Sequence, residues 1–152
     1  VFSETLPITV GVPQGAVLSP TLFNIYINDL VYYMANYAEV ILYADDINLL
    51  VSGNHSCLDA QTNLAVSHVY KWLTANKLFL NKSKTKSTLF NLSSLQNKRT
   101  DAQIQIMNSP IQHTESIRIL GMVFTDNLKW KEHIRLLNAN ISKATYKIKQ
   151  LR

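Results

Sequence analysis

The chain of 152 residues suffices for one domain or a little more, and 47% hydrophobic with 16% charged residues favours a packed core over disorder. Its net charge of +5 is unevenly spread: residues 1–70 hold six acids (Glu4, Asp29, Glu39, Asp45, Asp46, Asp59) and no Lys or Arg, whereas residues 71–152 hold all 15 basic residues and four acids, a balance of 15 − 4 = +11. A single cysteine, Cys57, excludes an intrachain disulfide and a multi-Cys zinc site, and the longest apolar stretch, Val31 to Leu42, is broken by Asn36 and Glu39 and is too short to span a membrane.

No basic region opens the chain, as a secretory signal would require, so an intracellular protein of the nucleus or cytoplasm is expected. The chain starts at Val1 rather than Met and stops inside a helical pattern at Arg152, so both ends are expected to be cuts in a longer protein. Thr9 to Leu18 reads as an extended segment followed by a loop punctuated by Gly11, Pro13 and Gly15. Ser19-Pro20 then signals a helix start, with Ser as a cap and Pro in the first turn. Phe23, Ile27, Leu30, Met34 and Tyr37 continue at helical spacing, which predicts one helix.

Glu39–Tyr43 and Ile47–Val51 are β-rich runs separated by Ala44, Asp45 and Asp46, which predicts a hairpin with an acidic tip. Gly53-Asn54 ends it. Leu58, Thr62, Ala65, Val69, Trp72 and Leu73 mark one face of a second helix. Leu78 to Leu92 reads as extended, and Ser93 to Gln103 as a polar loop. Ile104–Met107 and Ile111–His113 flank Asn108-Ser109-Pro110 as a second hairpin. Ile117 to Thr125 is a further strand with Gly121 inside it, and Asp126-Asn127 turns the chain. From about Lys129, a last helix repeats Trp130, Ile134, Leu137, Ile141, Ala144, Ile148 and Leu151, with Lys and Arg elsewhere on its surface. Such alternation of helices and strands predicts an α+β fold.

Asp45 and Asp46 carry the most chemistry. Adjacent carboxylates in a tight turn repel unless a cation neutralises them, although a solvated Asp-Asp turn is the simpler reading of the pair by itself. Hard divalent cations such as Mg²⁺ take carboxylate oxygens and leave positions for water and phosphate, as two-metal nucleotidyl transfer requires. Here the pair follows small Ala44 and Tyr43 at the end of an apolar strand.

Tyr43-Ala44-Asp45-Asp46 resembles the catalytic hairpin of reverse transcriptases. Gly11-Val12-Pro13-Gln14-Gly15, followed by the run from Leu18 to Leu30, resembles the preceding block of that family. Trp72-Leu73, Asn76 to Asn81 and Lys84-Thr85-Lys86 resemble the next block, and Ile119 to Val123 with Trp130 and His133-Ile134 the block that joins palm to thumb. Four blocks in order, from about Val10 to Ile134, are similar to the enzymes of non-LTR retrotransposons, particularly the jockey-like group.

The resemblance implies that residues 1–125 are the C-terminal portion of a polymerase palm, an antiparallel sheet with packed helices, and that residues 126–152 begin a thumb helix. It implies Asp45 as a metal ligand supported by Asp46, with Mg²⁺ or alternatively Mn²⁺ as the ion. RNA template, DNA primer or duplex and dNTP are the implied partners, with no membrane. Tyr43 would pack beneath the primer end, or be a plain strand aromatic. Gln14, a donor and acceptor between flexible residues, suits reading a template or nucleotide edge. Gly11, Pro13 and Gly15 shape that loop, where the glycines permit close backbone approach or simply turn the chain. After Gly15 the family often carries Ser, and Ala16 here lacks that hydroxyl.

Lys84 matches the family's lysine and is assigned as a pyrophosphate contact or general acid. Lys82 and Lys86 read as a solvated face, Trp72 and Trp130 as core anchors, His133 as structural and Cys57 as a packing residue. Lys131, Arg135, Lys143, Lys147, Lys149 and Arg152 would track a nucleic-acid backbone.

The family draws a further metal-binding Asp from a strand upstream of the Gly11–Gly15 block, where this chain has only Glu4, and its fingers would also lie upstream. Two expectations stand. One is a fragment of an RNA-directed DNA polymerase, inactive alone; the other is a catalytically dead mobile-element remnant that at most binds nucleic acid. On either, the charge split separates a metal-bearing half from a phosphate-handling half.

Overall fold

The computed structural model describes residues 11–54, 56–90 and 103–151, which form an α+β chain in two compact units, Val1–Leu78 and Phe79–Arg152. In the first unit, α1 (Ser19–Ile27) and α2 (Asp29–Met34) replace the single expected helix. Asn28 between them keeps helical dihedrals (φ −61°, ψ −32°), so the apolar stripe runs on across the interruption. Ile27, Leu30 and Met34 are buried, the last two completely. Ser19 does not cap its helix. Its hydroxyl donates instead to the Pro13 carbonyl at 2.6 Å, which the turn at Gly15 (φ 83°) carries back to it.

The hairpin follows as β1 (Glu39–Tyr43) and β2 (Asp46–Leu50), antiparallel, with Tyr43 opposite Asp46. Helix α3 (Leu58–Ala75) buries Ala65, Val66, Val69, Trp72 and Leu73, the face expected from its periodicity. Helix α2 packs on both β1 and α3, so the core lies between the helices and one face of the hairpin. Lys77 (φ 55°) ends α3: its N–H reaches the Thr74 carbonyl, and the Leu78 N–H reaches that of Leu73. This is the usual six-to-one helix closure with lysine where glycine is commonest. The Tyr26 hydroxyl donates to the Asn76 carbonyl, fixing α1 to that end of α3. His68 of α3 stacks on Tyr37 with ring centroids 3.8 Å apart and lies 3.2 Å from the Tyr33 hydroxyl, a second clasp between the helices.

The second unit departs further from expectation. Among the described residues of the segment from Leu78, a strand forms only at β3 (Lys86–Ser87), because Asn81 forms a side-chain turn before it. Asn81 Oδ1 accepts from the Ser83 hydroxyl and from the Lys84 N–H, so local bonds compete with a strand. Most of the expected polar loop, residues 93–102, lies outside the described residues. Strands β4 (Gln105–Ile106) and β5 (Ser109–Pro110) form a hairpin whose turn is Met107-Asn108, at φ 49° and 60°, rather than Asn108-Ser109-Pro110. Strand β6 (Gln112–His113) pairs in parallel with β3, not with β4.

The strand expected over Ile117–Thr125 is itself a hairpin, β7 (Ser116–Ile119) and β8 (Met122–Thr125), turning at Leu120-Gly121 with both residues at positive φ. Two positive φ values match the type I′ turn, whose twist suits a two-residue hairpin. Helix α4 (Lys131–Gln150) packs on β8, where His133 Nδ1 accepts the Val123 N–H at 3.4 Å, the structural role expected of it. Trp130 meets Phe124 (centroids 5.7 Å) but stays half exposed, so only Trp72 is a buried anchor as foreseen. Strands among the described residues thus occur as four two-stranded pairs, one of them parallel, and not as one antiparallel sheet.

Candidate active site

Register decides the site. In an antiparallel pair, directly opposed residues share a face and successive residues alternate. Glu39, Ile41, Tyr43, Asp46, Asn48 and Leu50 therefore line one face, and Val40, Leu42, Ile47 and Leu49 the other. The second face is half-buried throughout, whereas every residue of the first except Asn48 is exposed. Asp46 is thus a strand residue and not part of the turn, a correction to the expected three-residue tip. It stands beside Tyr43, itself 62% exposed, on the open side of the hairpin.

The turn proper is Ala44-Asp45. Ala44 sits at φ 49°, where an L-residue with a side chain carries about 1–2 kcal/mol of strain. Asp45 follows at the apex, exposed, and among the described residues neither carboxylate has an ion-pair partner. Two carboxylates on successive residues, one at the apex and one at the strand end, stand free to accept a cation. The Asn48 amide donates to the Ile41 carbonyl across the hairpin at 3.5 Å and braces the two strands near the tip. Ala44→Gly should raise the unit's stability by about 0.5–1 kcal/mol, the strain relieved less the entropy of glycine. A rise in Tm of the purified chain checks it, and a fall would show the methyl group making a contact of its own.

Gly11, Pro13, Gln14 and Gly15 form an exposed loop before α1, with Gly11 at φ 103°. A Cβ on either glycine would meet no atom within 4 Å, so the loop leaves open space above its backbone, and its fixed point is the Ser19–Pro13 bond. That anchor escaped the sequence reading because Ser before Pro has the signature of a cap. Lys84 lies in the second unit, exposed on the Asn81 turn. Ile41 and Asn48, opposed on the same face as Tyr43 and Asp46, were not singled out from the sequence, because the apolar run Val40-Ile41-Leu42 shows no alternation by itself and only the register reveals the face.

Among the described residues no three or more His, Cys, Asp or Glu side chains gather as a metal cluster. The two hairpin carboxylates nevertheless fit Mg²⁺, which commonly takes one or two protein carboxylates and completes its shell with water and substrate phosphate. No described helix is long and apolar enough to cross a membrane.

Residues 2–124 match the family model described as reverse transcriptase (RNA-dependent DNA polymerase). The chain is 26% identical over 145 residues to the retrovirus-related Pol polyprotein from type-1 retrotransposable element R1 2 of Nasonia vitripennis, covering 93% of this chain and 35% of that protein. It is 30% identical over 150 residues to the probable RNA-directed DNA polymerase from transposon BS of Drosophila melanogaster, covering 93% and 16%. With the RNA-directed DNA polymerase from mobile element jockey of Drosophila funebris the identity is 29% over 140 residues, covering 86% and 14%. The chain therefore spans a third or less of the length of most of these relatives, and little more than a third of the first. No solved structure matches it.

Proposed function

The chain belongs to the reverse transcriptase family of non-LTR retrotransposons, and from that premise we propose that it is the part of an RNA-directed DNA polymerase that carries the catalytic hairpin. The observation that carries the proposal is the exposed Tyr43-Ala44-Asp45-Asp46 hairpin, whose two carboxylates have no cationic partner among the described residues. Asp45 and Asp46 supply carboxylate oxygens for Mg²⁺ or Mn²⁺. A divalent ion held there would supply Lewis-acid activation of a 3′-hydroxyl and neutralisation of charge on a leaving pyrophosphate.

The remaining roles belong to the chain itself. Tyr43, on the Asp46 face, supports the primer end. Gln14 reads a template or nucleotide edge from a loop whose glycines leave room for it. Lys84 contacts the pyrophosphate or donates a proton to it. Residues 1–125 act as the C-terminal part of a palm and residues 126–152 as the start of a thumb, working inside the cell on an RNA template, a DNA primer and dNTPs. Lys131, Arg135, Lys143, Lys147 and Lys149 follow the duplex phosphates without reading sequence.

By itself the 152-residue chain should bind a primer–template duplex, with affinity falling steeply as salt rises, and incorporate no dNTP. Two carboxylates alone leave the reaction short of its further Asp. A primer-extension assay with Mg²⁺ or Mn²⁺, run beside a filter-binding titration, tests both statements. Template-dependent synthesis by this chain would overturn the need for that residue, and absence of any duplex binding would overturn the thumb assignment.

A further inference from the structure

Lys84 is exposed on a short turn, and its ammonium has no ion-pair partner among the described residues. A lysine reaches its target on a flexible stem, and ordering that stem already costs entropy. A mobile backbone beneath it would add to the cost. One residue removes that mobility. Asn81 Oδ1 accepts from the Ser83 hydroxyl at 2.7 Å and from the Lys84 N–H at 3.3 Å. The Asn81 carbonyl accepts from the Lys84 N–H at 3.2 Å, the Thr85 N–H at 3.1 Å and the Thr85 hydroxyl at 3.0 Å.

The Lys84 N–H is therefore shared between the side chain and the main chain of the same residue. Asparagine commonly closes a turn onto backbone just ahead of it, and here that closure falls on the lysine. The chain is tied again on the far side of Lys84. Lys86 opens β3 opposite Gln112, and the Ser87 carbonyl accepts the Thr114 N–H at 2.8 Å. The backbone of Lys84 thus lies between a turn closed by Asn81 and a hydrogen-bonded strand. None of these bonds uses the ammonium, so the anchoring leaves it available for phosphate. We propose that Asn81 is a positioning residue, whose Oδ1 fixes the backbone from which Lys84 meets the leaving pyrophosphate. The assignment rests on the role proposed above for Lys84. Asn81 itself acts only through the lysine.

Steady-state primer extension by a full-length polymerase carrying this segment tests the assignment. Lys84→Ala should lower kcat strongly. Asn81→Ala should lower kcat by about tenfold and leave KM for dNTP within about twofold, as misplacing a group needed only in the transition state does. Asn81→Ser keeps a short, neutral acceptor and should recover part of that loss. Added to Lys84→Ala, Asn81→Ala should cost nothing further, because the two residues act as one unit. A second readout does not depend on activity. In the 152-residue chain, hydrogen exchange at the Lys84 N–H should speed up about three- to tenfold in Asn81→Ala, the loss of one hydrogen bond, while the melting curve moves little. Wild-type kcat in Asn81→Ala beside a loss in Lys84→Ala would overturn the positioning and leave Lys84 in its role. Full activity of Lys84→Ala would remove that role, and the positioning with it. A further loss in the double variant, no recovery in Asn81→Ser, or unchanged exchange at Lys84 would show a turn that serves stability alone, and would overturn the assignment equally.

Discussion

Asp45→Asn in a full-length polymerase carrying this segment should lower dNTP incorporation by about a thousandfold or more, with duplex binding nearly unchanged. The side chain keeps its shape and loses its charge, so cation affinity suffers while the hairpin does not. Asp45 is exposed at the apex of a two-residue turn, without an ion-pair partner among the described residues, and surface changes of this kind usually alter stability by under about 0.5 kcal/mol. The residues assigned to duplex binding lie in the other unit, on α4. Steady-state primer extension gives the rate, equilibrium binding gives the duplex affinity, and a melting curve guards against misfolding. Full activity in the variant would remove Asp45 from the metal site. Equal loss of rate and duplex binding would mean that it holds the primer rather than the ion.

Leu30→Ala should destabilise the first unit by about 3–5 kcal/mol, the largest single-residue effect on stability expected in this chain. Leu30 is completely buried on α2, the helix that packs on both β1 and α3, so truncation opens a cavity where helices and hairpin meet. Net domain stabilities run only to about 5–15 kcal/mol, so such a loss takes a large fraction of the total. Urea unfolding followed by Trp72 fluorescence would read it, since Trp72 is buried in the same unit. Val31→Ala, one residue away but 39% exposed, should cost far less. If the two variants melted alike, α2 would not be the centre of this core.

These two positions differ in how far the sequence reveals them. Leu30 was legible because the spacing from Phe23 to Met34 is a helical stripe, and a stripe must be buried somewhere. The helix break at Asn28 changed the hydrogen bonds and not the stripe. Asp45 was legible as a turn residue next to an apolar strand, and the resemblance of the surrounding blocks to reverse transcriptases was borne out by the family match. Its neighbour was misplaced. The run Ala44-Asp45-Asp46 looks uniformly turn-like, and only the pairing with Tyr43 assigns Asp46 to a strand.

The second unit was the less legible one, for a common reason. Its turns use Met107-Asn108 and Leu120-Gly121, and Met and Leu do not announce positive φ as glycine does. A run of β-formers with Leu120-Gly121 in the middle then reads as one long strand. The side-chain bonds of Asn81 likewise displaced an extended segment that composition alone favoured.

Composition and periodicity determined by themselves that this is an α+β chain with an acid-only first half, an acidic hairpin and a basic amphipathic last helix, and the order of four blocks carried its resemblance to reverse transcriptases. These properties follow from residue type and local spacing, which a linear chain displays directly. Only the tertiary structure decided which face of the hairpin is open, that Asp46 stands beside Tyr43 on it, that Ser19 holds the Pro13 loop, and that α4 packs on β8 through His133. Each of those depends on register or on contacts between distant residues. A one-residue shift in strand pairing would turn Tyr43 and Asp46 to the opposite face without altering a single letter of the sequence.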